Sequence, residues 1–203
     1  MTSNNELVNH LINTGVLHSS NIIDAFVNID RIDFVGNPTV PDVYADYPLQ
    51  IGSGQTISQP TTVAMMLEML NPKNGNTILD IGSGSGWTTA LLSFIVGSEG
   101  SVIGMERVDS LVEFGSGNLK KYGFKNSKII KASDELGVVG EKFDRILVSA
   151  AAEEFPDELI NQLETDGKLV IPVRSSIYEI KLKKNGELDA TEHYGFTFVP
   201  LVV

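Results

Sequence analysis

Between Thr77 and Val173 short apolar runs alternate with amphipathic helical patterns, and few architectures accept that order. Strands are expected at Thr77–Ile81, Ser101–Met105, Ser127–Lys131, Phe143–Val148 and Gly167–Val173, with helices expected at Thr88–Val96, Ser110–Tyr122 and Pro156–Leu163. Parallel neighbours need a helical crossover, so the alternation implies an α/β, doubly wound sheet, mainly parallel and covered on both faces. The end of the chain differs. Tyr178–Lys183 and Leu188–Val199 flank Asn185-Gly186 and read as a C-terminal antiparallel hairpin on a type I′ turn, because Asn-Gly accepts two positive φ values.

Ahead of the sheet, Leu7, Val8, Leu11 and Ile12, then Ile22, Ile23, Phe26 and Val27, have the spacing of two short helices, a small N-terminal helical appendage. From Arg31 to Gln55 the chain is rich in Gly, Pro, Asp and Tyr without helical period, and a loop of that length in a compact domain is commonly functional. Val63, Met66, Leu67 and Leu70 then predict a helix over Pro60–Leu70, with Ser58 as its candidate cap. A chain of 203 residues forms one substantial domain. Within it, residues 1–58 are the helical and loop region and 59–203 the sheet.

The sharpest local signal is Leu79-Asp80-Ile81-Gly82-Ser83-Gly84-Ser85-Gly86, between the first strand and its helix. Gly82, Gly84 and Gly86 let the backbone turn tightly and approach a ligand at the carboxyl edge of the sheet, with Ser83 among them. Trp87 stands where a dinucleotide fingerprint wants Gly or Ala, and the Gly-Lys-Ser/Thr of a P-loop is missing. Asp80 adds negative charge beside the loop, which suits an amino group or a cation better than a pyrophosphate. Glu106, after the second strand, can accept both hydroxyls of a ribose, and Asp134, after the third, an adenine amino group. The three carboxylates together suit S-adenosylmethionine: sulfonium, amino group, ribose, adenine and no phosphate. Each has a plainer reading as well. Glu106 also reads as a solvated partner of Arg107, Asp134-Glu135 as a cap for the next turn, and Trp87 as packing or as a wall of the ligand site.

Composition narrows the alternatives. Fifteen basic against twenty-six acidic residues give a net charge of −11, which disfavours nucleic acid as a partner. The absence of cysteine removes thiolate chemistry and fits a reducing, cytoplasmic setting. His10, His18 and His193 lack paired ligand spacing, so no metal site is expected, and no Gly-x-Ser-x-Gly elbow is present. No apolar run approaches a membrane span, so no membrane partner is expected either. A monomer is expected.

Tyr47-Pro48-Leu49-Gln50-Ile51 and the following Gly52-Ser53-Gly54-Gln55-Thr56-Ile57-Ser58-Gln59-Pro60 closely resemble the hallmark of the protein-L-isoaspartate (D-aspartate) O-methyltransferases. Leu79 to Trp87, Met105-Glu106-Arg107, Val148 to Ala152, Gln162 to Val173 and Phe198-Val199-Pro200-Leu201 extend the resemblance over nearly the whole chain. It implies a Rossmann-like methyltransferase fold and methyl transfer from S-adenosylmethionine to the free carboxylate of L-isoaspartyl, and also D-aspartyl, residues in damaged proteins, leaving S-adenosylhomocysteine. It further implies Ser58 as the active-site residue, Gln55, Thr56, Ile57 and Ser58 as the substrate loop, and Asp80, Glu106 and Asp134 as cofactor ligands. The other readings are a methyltransferase for a different peptide carboxylate and an inactive adenosine-binding relative. A carboxylate is already ionised near neutral pH, so Ser58 is read as a positioner rather than a base, and capping the next helix is compatible with that. The sequence departs from the family at Arg174, where a glycine is common, and at Ser133 and Glu135 around Asp134. Arg174 reads as a solvated side chain or as a positive charge for an anionic substrate.

Overall fold

The computed structural model describes residues 1–36 and 42–202. Two helices, α1 (Asn4–Asn13) and α2 (Ser20–Asn28), lead into a single 3-10 turn at Arg31–Phe34. A small antiparallel hairpin, β1 (Leu49–Gly52) with β2 (Gln55–Ile57), precedes α3 (Pro60–Leu70). The alternating region follows as β3 (Thr77–Ile81), α4 (Trp87–Val96), β4 (Ser101–Glu106), α5 (Asp109–Lys121), β5 (Ser127–Lys131), β6 (Phe143–Val148), α6 (Asp157–Ile160) and β7 (Leu163–Val173). Strands β8 (Ser176–Leu182) and β9 (Leu188–Tyr194) complete it.

The seven strands from β3 onward form one sheet in the order β5-β4-β3-β6-β7-β8-β9. The first five pair in parallel, and β8 and β9 are antiparallel, so the expected architecture is the one observed. Strand order reverses beside β3, with β4 on one side and β6 on the other, which places the ligand crevice at its carboxyl end. Almost every residue of α4 is buried, because this helix lies between the sheet and the N-terminal helices. Leu7, Leu11, Ile22 and Phe26 share one core with Trp87, Leu91 and Val96, and Phe26 meets Trp87 edge-on at 5.6 Å. No helix among the described residues is long and apolar enough to cross a membrane.

Three expectations need correction. The helix expected over Pro156–Leu163 is the single turn α6, because Leu163 already pairs with Phe143 and the amide of Phe143 donates to the Gln162 carbonyl; sheet pairing overrides the helical spacing of Leu159, Ile160 and Leu163. The strand expected to reach Val199 stops at Tyr194, since Gly195 turns with φ 99° and its amide donates to the Ser175 carbonyl. At Asn185-Gly186 only the glycine has a positive φ, and the Gly186 amide bonds the Lys183 carbonyl at 2.9 Å. That is a three-residue loop with a left-handed glycine, not a type I′ turn. Three successive positive φ values occur instead at Gly52, Ser53 and Gly54, in the β1–β2 hairpin. The segment from Arg31 to Gln55 thus holds a 3-10 turn and most of a hairpin; its residues 37–41 lie outside the described residues.

Arg174 occupies the β7–β8 turn with φ 54°, a left-handed conformation that suits glycine, and its side chain is exposed with Nε on the Glu153 carbonyl. Relieving such a φ is worth roughly 1 kcal/mol, so Arg174→Gly is expected to raise the unfolding free energy by about that amount. Urea titration checks this; an unchanged or lower midpoint would show that the contact with Glu153 outweighs the backbone strain.

Candidate active site

The glycine loop is shaped by contact as much as by conformation. Gly82, Gly84 and Gly86 have φ of 76°, 52° and 87°, and the amides of Gly82 and Ser83 both donate to the Met105 carbonyl. A Cβ at Gly86 would stand 3.1 Å from the Gly115 carbonyl oxygen, and one at Gly115 would stand 3.0 Å from that of Gly84. The loop therefore lies backbone to backbone on α5, tied there by Asn118 Nδ2 donating to the Ser85 carbonyl. Gly104 of β4 is equally confined, since a Cβ there would meet Thr89 Oγ1 at 2.9 Å. Sequence reading missed Gly104 and Gly115, because isolated glycines inside a strand and a helix carry no motif.

The three carboxylates do not converge on one cavity. Asp80 is wholly buried beneath the loop, and its Oδ2 accepts from Thr88 Oγ1 at 2.7 Å and Thr89 Oγ1 at 2.6 Å. Burial pushes its pKa up to about 6, the two hydroxyl bonds pull down, and nearby Glu106 pushes up again. Glu106 is the junction of the site. Its Oε2 accepts from the Gly84 amide at 2.9 Å and its Oε1 from the Val108 amide at 2.8 Å. Asp134 is exposed in a separate cavity of about 520 Å³ with Glu135, Glu153, Glu154 and Glu158, and Leu201 lines both that cavity and the one holding Glu106.

Two chambers meet above the loop. One of about 420 Å³ is walled by Gln55, Gly82, Gly84, Glu106, Ala132 and the segment Val199 to Val202. The other, of about 560 Å³, lies between Pro48, Gln59, Thr61 and Thr62 on one side and Gly195 to Phe198 on the other. Thr56, Ser58, Ser149 and Val199 belong to both walls. Ile57 points into the core, 4% exposed, and with Ser83 and Trp87 reaches only a narrow crevice of about 30 Å³ between them. Gly86 lines none of these spaces and serves the contact with α5.

The segment carrying Ser58 is held by residues that sequence reading did not single out. Ser58 does not cap α3; Asp46 does so from a distance, with Oδ1 accepting from the Thr61 amide at 2.8 Å and Oδ2 from Thr61 Oγ1 at 2.7 Å and Gln59 Nε2 at 3.2 Å. Arg31 is fully buried and donates to three carbonyls, from Nε to Val43 at 2.9 Å, from Nη1 to Ser58 at 2.8 Å and from Nη2 to Tyr47 at 3.2 Å. Its guanidinium lies 4.8 Å from the centre of the Trp87 ring. Burial pushes the Arg31 pKa down to about 9, and the Asp46 charge works against that shift. An aspartate and an arginine in an irregular stretch have no periodicity that announces such partners.

The residues present fit S-adenosylmethionine. The first chamber offers a carboxylate that can accept hydroxyl donors and a glycine backbone open to close approach. Asp80 supplies the pH prediction. Its folded pKa near 6 lies above the unfolded value, so the folded state binds the extra proton at acid pH, and stability falls as pH rises from about 4 to 6. Relative to Asp80→Asn, the wild type is expected to lose about 1 kcal/mol of unfolding free energy between about pH 5 and pH 7. Paired urea titrations at the two pH values check this; a constant difference would place the titration elsewhere.

Comparison with known proteins agrees with this architecture. The chain is 37% identical over 202 residues to a protein-L-isoaspartate O-methyltransferase of Methanopyrus kandleri, covering 97% of this chain and 89% of the relative. It is 38% identical to the enzyme of that name from Pyrococcus abyssi, covering 93% and 89%. A Plasmodium falciparum crystal structure in complex with S-adenosyl-L-homocysteine, assigned to the same methyltransferases, superposes with a TM-score of 0.88 at 30% identity, over 100% of this chain and 99% of that one. The sequence model described as protein-L-isoaspartate (D-aspartate) O-methyltransferase matches residues 2–203. The chain belongs to the protein-L-isoaspartate (D-aspartate) O-methyltransferase family.

Proposed function

We propose that this chain methylates the free carboxylate of L-isoaspartyl residues in damaged proteins and peptides, with Glu106, Gly82 and Gly84 holding S-adenosylmethionine and Ser58, Thr56 and Ser149 meeting the substrate. The observation that carries this reading is the wall of Thr56, Ser58, Ser149 and Val199 shared by two chambers, which supports a cofactor on one side and an acceptor on the other. When bound, the cofactor supplies an activated methyl group on a positively charged sulfur. Asp80 acts from beneath, by fixing the start of α4 through Thr88 and Thr89. Asp134 is an adenine contact only if the ligand extends past Leu201 into the acidic cavity.

Chemistry at the acceptor is simple for the protein. A carboxylate is ionised near neutral pH, so no residue has to remove a proton, and what remains is orientation and exclusion of water. Hydroxyl donors suit that task. They hold an anionic oxygen without neutralising it as a bidentate arginine would. Gln55 lines the cofactor chamber and closes it toward the hairpin, and Ile57 anchors the strand between these side chains in the core.

The decisive experiment offers labelled S-adenosylmethionine with an isoaspartyl peptide beside its aspartyl twin; label is expected in the first alone, and equal or absent labelling would overturn the reading. Ser58→Ala is expected to lower kcat about tenfold, the worth of one hydrogen bond, without changing affinity for S-adenosylhomocysteine. Wild-type kcat would remove Ser58 from the acceptor wall. Glu106→Ala is expected to weaken S-adenosylhomocysteine binding by about 2 kcal/mol, since a charged acceptor is lost and the Gly84 and Val108 amides lose their partner. Calorimetry checks it, and unchanged affinity would empty Glu106 of that role.

A further inference from the structure

Arg31 joins parts of the molecule that must be aligned for transfer. Its three donors gather carbonyls from positions 43, 47 and 58, and its Cζ stands over the ring of Trp87, the first residue of the helix that follows the glycine loop. Tyr47 precedes Pro48 in the second chamber, and Ser58 stands in the wall between chambers. One rigid group therefore spans from the acceptor wall to the cofactor loop. Burying a guanidinium against neutral carbonyls is costly compared with an apolar filler of the same volume, and holding the fold together does not by itself require that choice.

We propose that Arg31 is a positioning residue for methyl transfer: it fixes the Ser58 backbone, and hence the Ser58 hydroxyl, at a set distance from the glycine loop. The inference rests on the reading of Ser58 as part of the acceptor wall. Arginine is required because three divergent carbonyls and an aromatic face need a planar fork, which an ammonium cannot supply. Displacing a group that orients the acceptor lowers the rate of the aligned complex rather than cofactor affinity, so the effect falls on kcat.

The test uses the full chain with Arg31→Ala, Arg31→Lys, Ser58→Ala and the Arg31→Ala/Ser58→Ala double variant, each checked for folding by thermal melting. Arg31→Ala is expected to lower kcat on the isoaspartyl peptide about tenfold, as Ser58→Ala does, with S-adenosylhomocysteine affinity unchanged. Guanidinium or ethylguanidinium at low millimolar concentration is expected to restore part of that rate, and sodium and ammonium salts none of it. The double variant is expected to be no slower than the slower of the two single variants, because the two residues act as one unit. Wild-type kcat in folded Arg31→Ala, no recovery by guanidinium, or additive losses in the double variant would each overturn the proposal. Should Arg31→Ala fail to fold, Arg31→Lys decides: a lowered kcat at unchanged S-adenosylhomocysteine affinity supports positioning, and wild-type kcat ends it. If the unaltered protein does not methylate the isoaspartyl peptide, the functional reading falls, and hydrogen exchange then decides the role of Arg31. Faster exchange at residues 55–59 in Arg31→Ala or Arg31→Lys, with α4 unchanged, supports positioning, and unchanged exchange there overturns it.

Discussion

The site is organised by the backbone contact between the loop after β3 and helix α5. Gly86 and Gly115 have no room for a side chain between them, and Gly104 presses the loop from the neighbouring strand. That contact fixes the floor of the cofactor chamber before any polar group is considered. Asp80 and Glu106 then hold it from two sides, one through the threonine hydroxyls at the start of α4 and the other through the amides of Gly84 and Val108. In both cases a carboxylate accepts from neutral donors, Glu106 through both oxygens and Asp80 through Oδ2. A chain with a net charge of −11 thus meets two acids at its centre with neutral dipoles, which at Asp80 only partly offset the cost of burial.

The upper half of the site hangs on this floor. The β1–β2 hairpin turns over at Ser53-Gly54, Ile51 reaches to within 3.3 Å of where a Cβ on Gly84 would stand, and Ser53 Oγ lies 3.2 Å from Ser110 Oγ of α5. Behind it, Asp46 gathers the first turn of α3 and Arg31 gathers the carbonyls. The irregular segment is therefore fastened by side chains reaching to backbone, the usual recourse where a chain path is set by a binding surface rather than by regular pairing.

Much of this was legible in the sequence, and the part that was not has a physical cause. Strands β3, β5 and β6 coincide with the predicted spans because apolar runs between breakers leave a buried parallel strand little freedom. Asp80, Gly82, Gly84 and Glu106 were legible as candidates because they lie at or beside strand ends at a switch point, where local spacing and tertiary position coincide. Arg31, Asp46 and Gly115 were not, since each matters through a partner distant in sequence that no local window contains. The same reason explains Asn185-Gly186. Loop length, set by the register of β8 on β9, decided the turn type over the dipeptide.

The path of the last described residues has its own consequence. Val199 to Leu201 is fastened by hydrogen bonds between the Ala151 amide and the Val199 carbonyl and between the Leu201 amide and the Ala151 carbonyl, and Val199 forms part of the ceiling over both chambers. A ceiling common to two rooms cannot be raised over one alone. On the proposed assignment of the chambers, exchange of spent cofactor and departure of the methylated chain are thereby linked to the same short stretch, which lies outside the seven-stranded sheet beneath it.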